Sequence, residues 1–206
     1  MKTLYLLRHA KSSWKDPSLD DLDRPLNKRG RETAKTMAAY LRRAKITPDL
    51  VLCSTAVRAK QTLEPIANAI KPLRVAFESR IYGVAQPELL KYLRGLPQTV
   101  ECALMIGHNP GLHDLALALA DTKSRKRLPP AEGKFPTGAI AAFRFEGAWK
   151  GIALEWRDRV VIHRPKGNSF QIAPSFTVRS AIGMLWRSIR DNGCCGSAIQ
   201  RFFSCR

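Results

Sequence analysis

The amino-acid sequence predicts an α/β fold of three layers, with helices on both faces of a mainly parallel central sheet. Short apolar runs of strand length recur at residues 3–7, 50–53 and 102–106, and runs of this kind mark strands buried on both faces. Each run is followed by a polar turn and then by a segment with helical apolar spacing, the repeating unit of parallel sheets. A length of 206 residues, with 45% hydrophobic and 25% charged side chains, suits one domain with a sizeable core and room for an appendage.

The first strand, residues 3–7, stops on Arg8-His9, which puts this pair at the carboxyl edge of the sheet, where open α/β sheets place their sites. A polar loop over residues 11–27 follows, holding Asp16, Asp20, Asp21, Asp23, Pro17 and Pro25. Loops of that length in compact domains are often functional. Asn27 is the expected N-cap of a helix whose apolar face is Ala34, Met37, Ala38 and Leu41, and Pro48-Asp49 end it. The second strand leads to Ser54 or Thr55 as cap of the next helix, so Arg58 falls in its first turns near the positive end of the dipole. A cation there is unfavourable for the helix and points to another purpose.

Residues 73–78 read as a third strand, and Gln86-Pro87-Glu88 opens a helix with proline at its first position that continues through Leu89, Leu90 and Leu93. The fourth strand, 102–106, ends on Gly107-His108-Asn109-Pro110-Gly111, and residues 112–120 form a Leu- and Ala-rich helix. A basic, proline-containing loop over 123–130 precedes strands around 139–145 and 160–162. From Gly167 the alternation stops. Val178, Ala181, Ile182, Leu185 and Ile189 share one helical face with Arg179, Arg187 and Arg190 elsewhere, an amphipathic helix that either docks on the domain or meets a membrane or partner. Residues 193–206 read as poorly ordered. The expected division is a domain over 1–166 and an atypical tail over 167–206.

Thirty-five Lys and Arg against 17 Asp and Glu leave a formal charge of +18, a balance that favours anionic partners without choosing among them. Arg8 and His9 interrupt the N-terminal apolar run well short of a secretory core, and no segment approaches the length of a membrane span. None of the five cysteines shows zinc-like paired spacing with histidine. A reducing, cytoplasmic setting is the simplest expectation.

Arg8-His9, Arg58 and Gly107-His108 each follow a strand of the same sheet, so two arginines and two histidines converge at one edge. Guanidinium forks match phosphate oxygens bidentately, and the cluster suits a dianionic group. Here the sequence resembles the histidine phosphatase superfamily, with its phosphoglycerate mutase-like fold. The resemblance rests on Leu7-Arg8-His9-Ala10-Lys11-Ser12, Arg24-Pro25-Leu26-Asn27-Lys28-Arg29-Gly30, Cys53-Ser54-Thr55-Ala56-Val57-Arg58-Ala59-Lys60-Gln61-Thr62 and Gly107-His108-Asn109-Pro110-Gly111. Within that superfamily it is most similar to the small SixA-like branch of phosphohistidine phosphatases, through Arg-His-Ala-Lys-Ser-Ser-Trp and Lys134-Phe135-Pro136-Thr137-Gly138-Ala139. The likeness covers roughly residues 1–166.

The resemblance implies a two-step phosphoryl transfer with His9 as nucleophile. Arg8, Arg58 and His108 would hold the transferring group and offset its charge, with Ser12 and Arg24 also on the substrate. It implies no metal and no cofactor. Glu78 falls where larger members carry a catalytic glutamate, with Asp16, Asp20, Asp21 and Asp23 as alternative acids. An imidazole leaving group would need less help from an acid than an ester would. Short loops without an inserted lid favour a phosphorylated protein as substrate over a small phosphorylated molecule and argue against a mutase. The alternatives are a broad small-molecule phosphomonoesterase or, from another class, a basic module binding nucleic acid or lipid. No nucleic-acid motif or aromatic interleaving accompanies the charge.

Overall fold

The computed structural model describes residues 1–152 apart from 73, 127 and 131–132, and the backbone of residues 161–163, 165–166 and 169–170. Four strands run parallel: β1 (Lys2–Arg8), β2 (Leu50–Ser54), β3 (Arg74–Glu78) and β4 (Cys102–Gly107). Their alternation explains why the apolar runs are unbroken. Leu4 and Leu6 of β1, Leu50 and Leu52 of β2 and Ala103 and Met105 of β4 enter one core cluster, while Tyr5, Leu7, Val51, Cys53, Leu104 and Ile106 enter another. Successive side chains point to opposite faces, so both faces need apolar residues when both are covered.

Helices α1 (Lys28–Arg43) and α2 (Val57–Ile70) cover one face through Met37, Leu41, Leu63 and Ile66. The other face lies under α3 (Gln86–Arg94) and α4 (Gly111–Leu119), through Leu89, Leu93, Leu112 and Leu115. This is the expected three-layer α/β/α arrangement. With β5 (Ile140–Phe145) and β6 (Val161–His163), the sheet order is β3-β2-β4-β1-β5-β6, and β5 and β6 are antiparallel additions. Residues Pro165–Lys166 and Ser169–Phe170 form a separate two-stranded pair, β7 and β8. Among the described residues no helix is long and apolar enough to cross a membrane.

Most boundaries follow local chemistry. Asn27 caps α1 by accepting from Gly30 N–H at 2.8 Å. Gly30 also has to be glycine: a Cβ there would stand 2.1 Å from the carbonyl oxygen of Lys11, where the helix start crosses the segment leaving β1.

Three expectations need correction. The N-cap of α2 is Ala56, not Ser54 or Thr55; the Ser54 hydroxyl pairs with His108 and accepts from Ala56 N–H, ahead of the first helical residue. Gln86, not Pro87, is the first residue of α3. The basic segment expected as a loop begins with a short helix, α5 (Thr122–Arg125). The strand expected around 160–162 is β6, Val161–His163. Leu73, the amphipathic pattern over 178–190 and all but a few backbone residues of the 167–206 tail lie outside the described residues.

Candidate active site

Strand register makes the site. Arg8 lies opposite Gly107 in the β1–β4 pairing, so the next residues, His9 and His108, leave the sheet side by side. Their rings lie 4.9 Å apart between centroids, and both residues are buried. His9 Nδ1–H donates to its neighbour's carbonyl, Ala10 O, at 2.7 Å, which leaves Nε2 as the nitrogen with the free lone pair. His108 Nε2 pairs with Ser54 Oγ at 2.7 Å, across from β4 at the end of β2.

Burial holds His9 down to about 4, with Arg58 and Arg8 acting in the same direction against the bond to Ala10. Burial, then the neighbouring His9 and Arg58, holds His108 down to about 3. Both rings are therefore neutral at neutral pH. The segment after β1 is tied to α2: Ala10 N–H donates to Thr62 Oγ1 at 3.0 Å, and that hydroxyl donates to Arg58 O at 2.7 Å.

The cations surround this pair. Arg8 donates from Nη1 to the Phe135 carbonyl at 2.5 Å. Arg58 donates to the backbone carbonyl of Asp21 and, at 2.7 Å, to Asp21 Oδ2. Arg24 reaches Ser12 Oγ at 2.8 Å, Ser13 O at 3.0 Å and Asp21 Oδ1 at 2.5 Å. Asp21 thus spans two guanidiniums and also accepts from Tyr82 O–H at 2.7 Å. The Tyr82 hydroxyl first, then Arg58 and Arg24, bring its carboxyl down to about 2 against the opposing effect of burial.

His9, Arg8, Ser12, Arg24, Arg58 and His108 all line one cavity of about 280 Å³, together with Lys11, Trp14, Asp21, Asn109 and Thr137. Four cations thus face one carboxylate. Three buried polar atoms have no partner among the described residues, Arg8 Nε, His108 Nδ1 and Asn109 Oδ1, and all belong to residues that line this cavity. Buried polar groups are almost always paired. An anion seated between the rings would supply acceptors to Arg8 and His108. Among the described residues no three His, Cys, Asp or Glu side chains converge to hold a metal ion.

Glu78, the glutamate expected at the site, does not line the cavity. It sits opposite Ser54 on the outermost strand, and alternation sends it with Arg74 and Ala76 to the α3 side. There it meets Arg80 at 3.7 Å and bonds Tyr92, whose hydroxyl is pushed up to about 12 by burial and by Glu78. Of the four alternative carboxylates only Asp21 reaches the cavity; Asp16 is spent on Ser18, at 2.6 Å to its hydroxyl.

The contributions of Ser54, Tyr82 and the Phe135 carbonyl escape sequence reasoning. Ser54 becomes legible only once β2 is known to neighbour β4. The Phe135 contact uses a backbone oxygen, which no side-chain motif announces.

Comparison with other proteins agrees with this geometry. The profile of the histidine phosphatase superfamily (branch 1) matches residues 4–82. An uncharacterized protein of Mycobacterium tuberculosis is 35% identical over 165 residues, covering 78% of this chain and 100% of that one. Among solved structures, the SixA protein of Agrobacterium tumefaciens is 30% identical with a TM-score of 0.63, covering 68% of this chain and 90% of its own. The protein histidine phosphatase SixA complexed with tungstate is 26% identical with a TM-score of 0.57, covering 68% of this chain and 86% of its own. Two neutral histidines on adjacent strand ends, ringed by arginines on this fold and in these motifs, place the chain in the histidine phosphatase superfamily, in its SixA-like branch.

Proposed function

We propose that the protein hydrolyses protein phosphohistidine through a phosphohistidine intermediate on His9, without a metal ion, in a cytoplasmic setting. The observation that carries the substrate assignment is the state of Asp21. It is the only carboxylate among the described residues lining the cavity, and three donors hold it ionised. An ionised carboxylate does not protonate a departing alkoxide. It is competent to accept a proton from water.

The first step follows from the tautomer of His9. Its Nε2 lone pair attacks phosphorus while Nδ1–H stays on the Ala10 carbonyl, and the bond from phosphorus to the leaving nitrogen breaks. A substrate imidazole carrying a proton on its other ring nitrogen leaves neutral, so no protein acid is needed. Arg8 and Arg58 offset the charge on the transferring oxygens, the work a cation otherwise performs, and Arg24 adds to that field. In the second step water attacks the phosphorus on His9, Asp21 takes its proton, and His9 leaves as a neutral imidazole with inorganic phosphate as product. The unpartnered Asn109 Oδ1 is an acceptor among donors, suited to that water. A similar protein, the protein histidine phosphatase SixA, forms a complex with the oxyanion tungstate, which supports anion binding by a protein of this kind.

The test is one incubation series with a phosphohistidine peptide and a phosphoserine peptide, with and without EDTA. The expected result is EDTA-insensitive release of phosphate from the first and at most about a hundredth of that rate from the second, the contribution of a missing acid. Comparable rates on both peptides would replace this reading with a broad phosphomonoesterase. Loss of activity in EDTA would refute the metal-free mechanism.

A further inference from the structure

Trp14 stands at the lip of the cavity that holds His9, and it is 76% exposed. A single exposed aromatic residue is ordinarily unremarkable on a protein surface. What distinguishes Trp14 is its support. The guanidinium of Arg24 lies 3.1 Å from the ring centroid on one face. Arg24 is itself buried and fixed by Ser12, Ser13 and Asp21. The segment carrying the indole is pinned where it leaves and rejoins the domain, by Ser13 N–H on the Pro25 carbonyl at 2.7 Å and Asn27 N–H on the Lys11 carbonyl at 3.0 Å. The ring is therefore held in place with one face on a cation and most of the residue open to solvent.

An indole pre-positioned in this way is a stacking platform, since its face carries negative quadrupole charge that attracts planar, electron-poor groups. The cavity is small, and a ring bonded directly to the phosphorus would lie near its lip. We propose that Trp14, braced by Arg24, forms a subsite for the planar leaving group of the substrate, and so selects phosphorylated rings over phosphorylated alkyl chains. This rests on the phosphatase reading above and adds the part of the site that reads the leaving group. An imidazole protonated on its second nitrogen, the form that leaves neutral, is the electron-poor ring the platform suits best.

Two non-hydrolysable dianions that differ only in the ring test this: phenylphosphonate and methylphosphonate, titrated calorimetrically into wild type, Trp14→Ala and Trp14→Phe. Wild type binds the phenyl compound about tenfold more tightly, the scale of one stacking contact. Trp14→Ala brings the ratio near one, and Trp14→Phe keeps most of it. The ratio cancels any general change in anion affinity caused by releasing Arg24. An unchanged ratio in Trp14→Ala overturns the subsite while leaving the phosphatase reading intact. Failure of both compounds to bind wild type overturns the anion site, and the subsite with it.

Discussion

Acidification offers the sharpest physical handle on this site, because two buried imidazoles are held neutral in it. His9 falls from its ordinary 6.5 to about 4 in the folded protein. The unfolded chain therefore binds a proton at this residue between roughly pH 6.5 and 4 that the folded protein refuses, so stability is fully present above that window and drains away as pH falls through it. The full difference corresponds to about 3 kcal/mol, of which about 2 kcal/mol is lost between pH 7 and 5. Asp21 also loses its ionised state on acidification, but only as the pH falls from 3.8 towards about 2, outside this range. Urea denaturation of wild type and His9→Gln at pH 7 and pH 5 isolates the effect. Wild type should lose about 2 kcal/mol more than the variant over that interval, and the imidazole signal of His9 should show no protonation above pH 5 by NMR. Parallel losses in the two proteins, or a His9 titration near 6.5, would refute the claim that the nucleophile is kept neutral by burial.

Other perturbations separate the roles further. Asp21→Asn removes the carboxylate from Arg24 and Arg58; tungstate should bind several-fold more tightly, while breakdown of the phosphoenzyme in a single-turnover assay slows about a hundredfold. Glu78→Gln should leave turnover of the phosphohistidine peptide within about twofold, since surface changes away from a site have small effects and its partners are Arg80 and Tyr92. Ser54→Ala strands a buried His108 with neither nitrogen paired, costing roughly 1–3 kcal/mol by denaturant midpoint and lowering activity as the ring loses its orientation. Gly111→Ala sets a Cβ 2.1 Å from the Val84 carbonyl oxygen beneath the site; overpacking against backbone should destabilise the fold by about 3 kcal/mol or more, read as a lowered urea midpoint.

The layers of this fold are legible in the sequence because burial on both sheet faces leaves unbroken apolar runs such as residues 3–7 and 102–106. The convergence of His9, Arg58 and His108 is legible for a related reason: parallel strands end at one edge, whatever their order. What cannot be read is lateral placement. Ser54 reaches His108 only because β2 neighbours β4, and Glu78 is lost to the site because β3 is the outer strand and its alternation points the side chain to α3. Choosing Asp21 from four loop aspartates likewise depends on how residues 11–27 fold back over Arg58, a tertiary contact without a local pattern. Ser54, a good capping residue by propensity, lies too early to cap α2, which starts at Val57, and its hydroxyl serves His108 and Ala56 N–H instead.

The central claim is that His9 carries the phosphoryl group, and trapping tests it most directly. Wild type mixed with a phosphohistidine peptide and quenched in alkali should yield an acid-labile phosphate that peptide mapping locates on His9, with no label in His9→Ala and no turnover by that variant. Label on any other residue, or turnover that survives His9→Ala, would contradict the account.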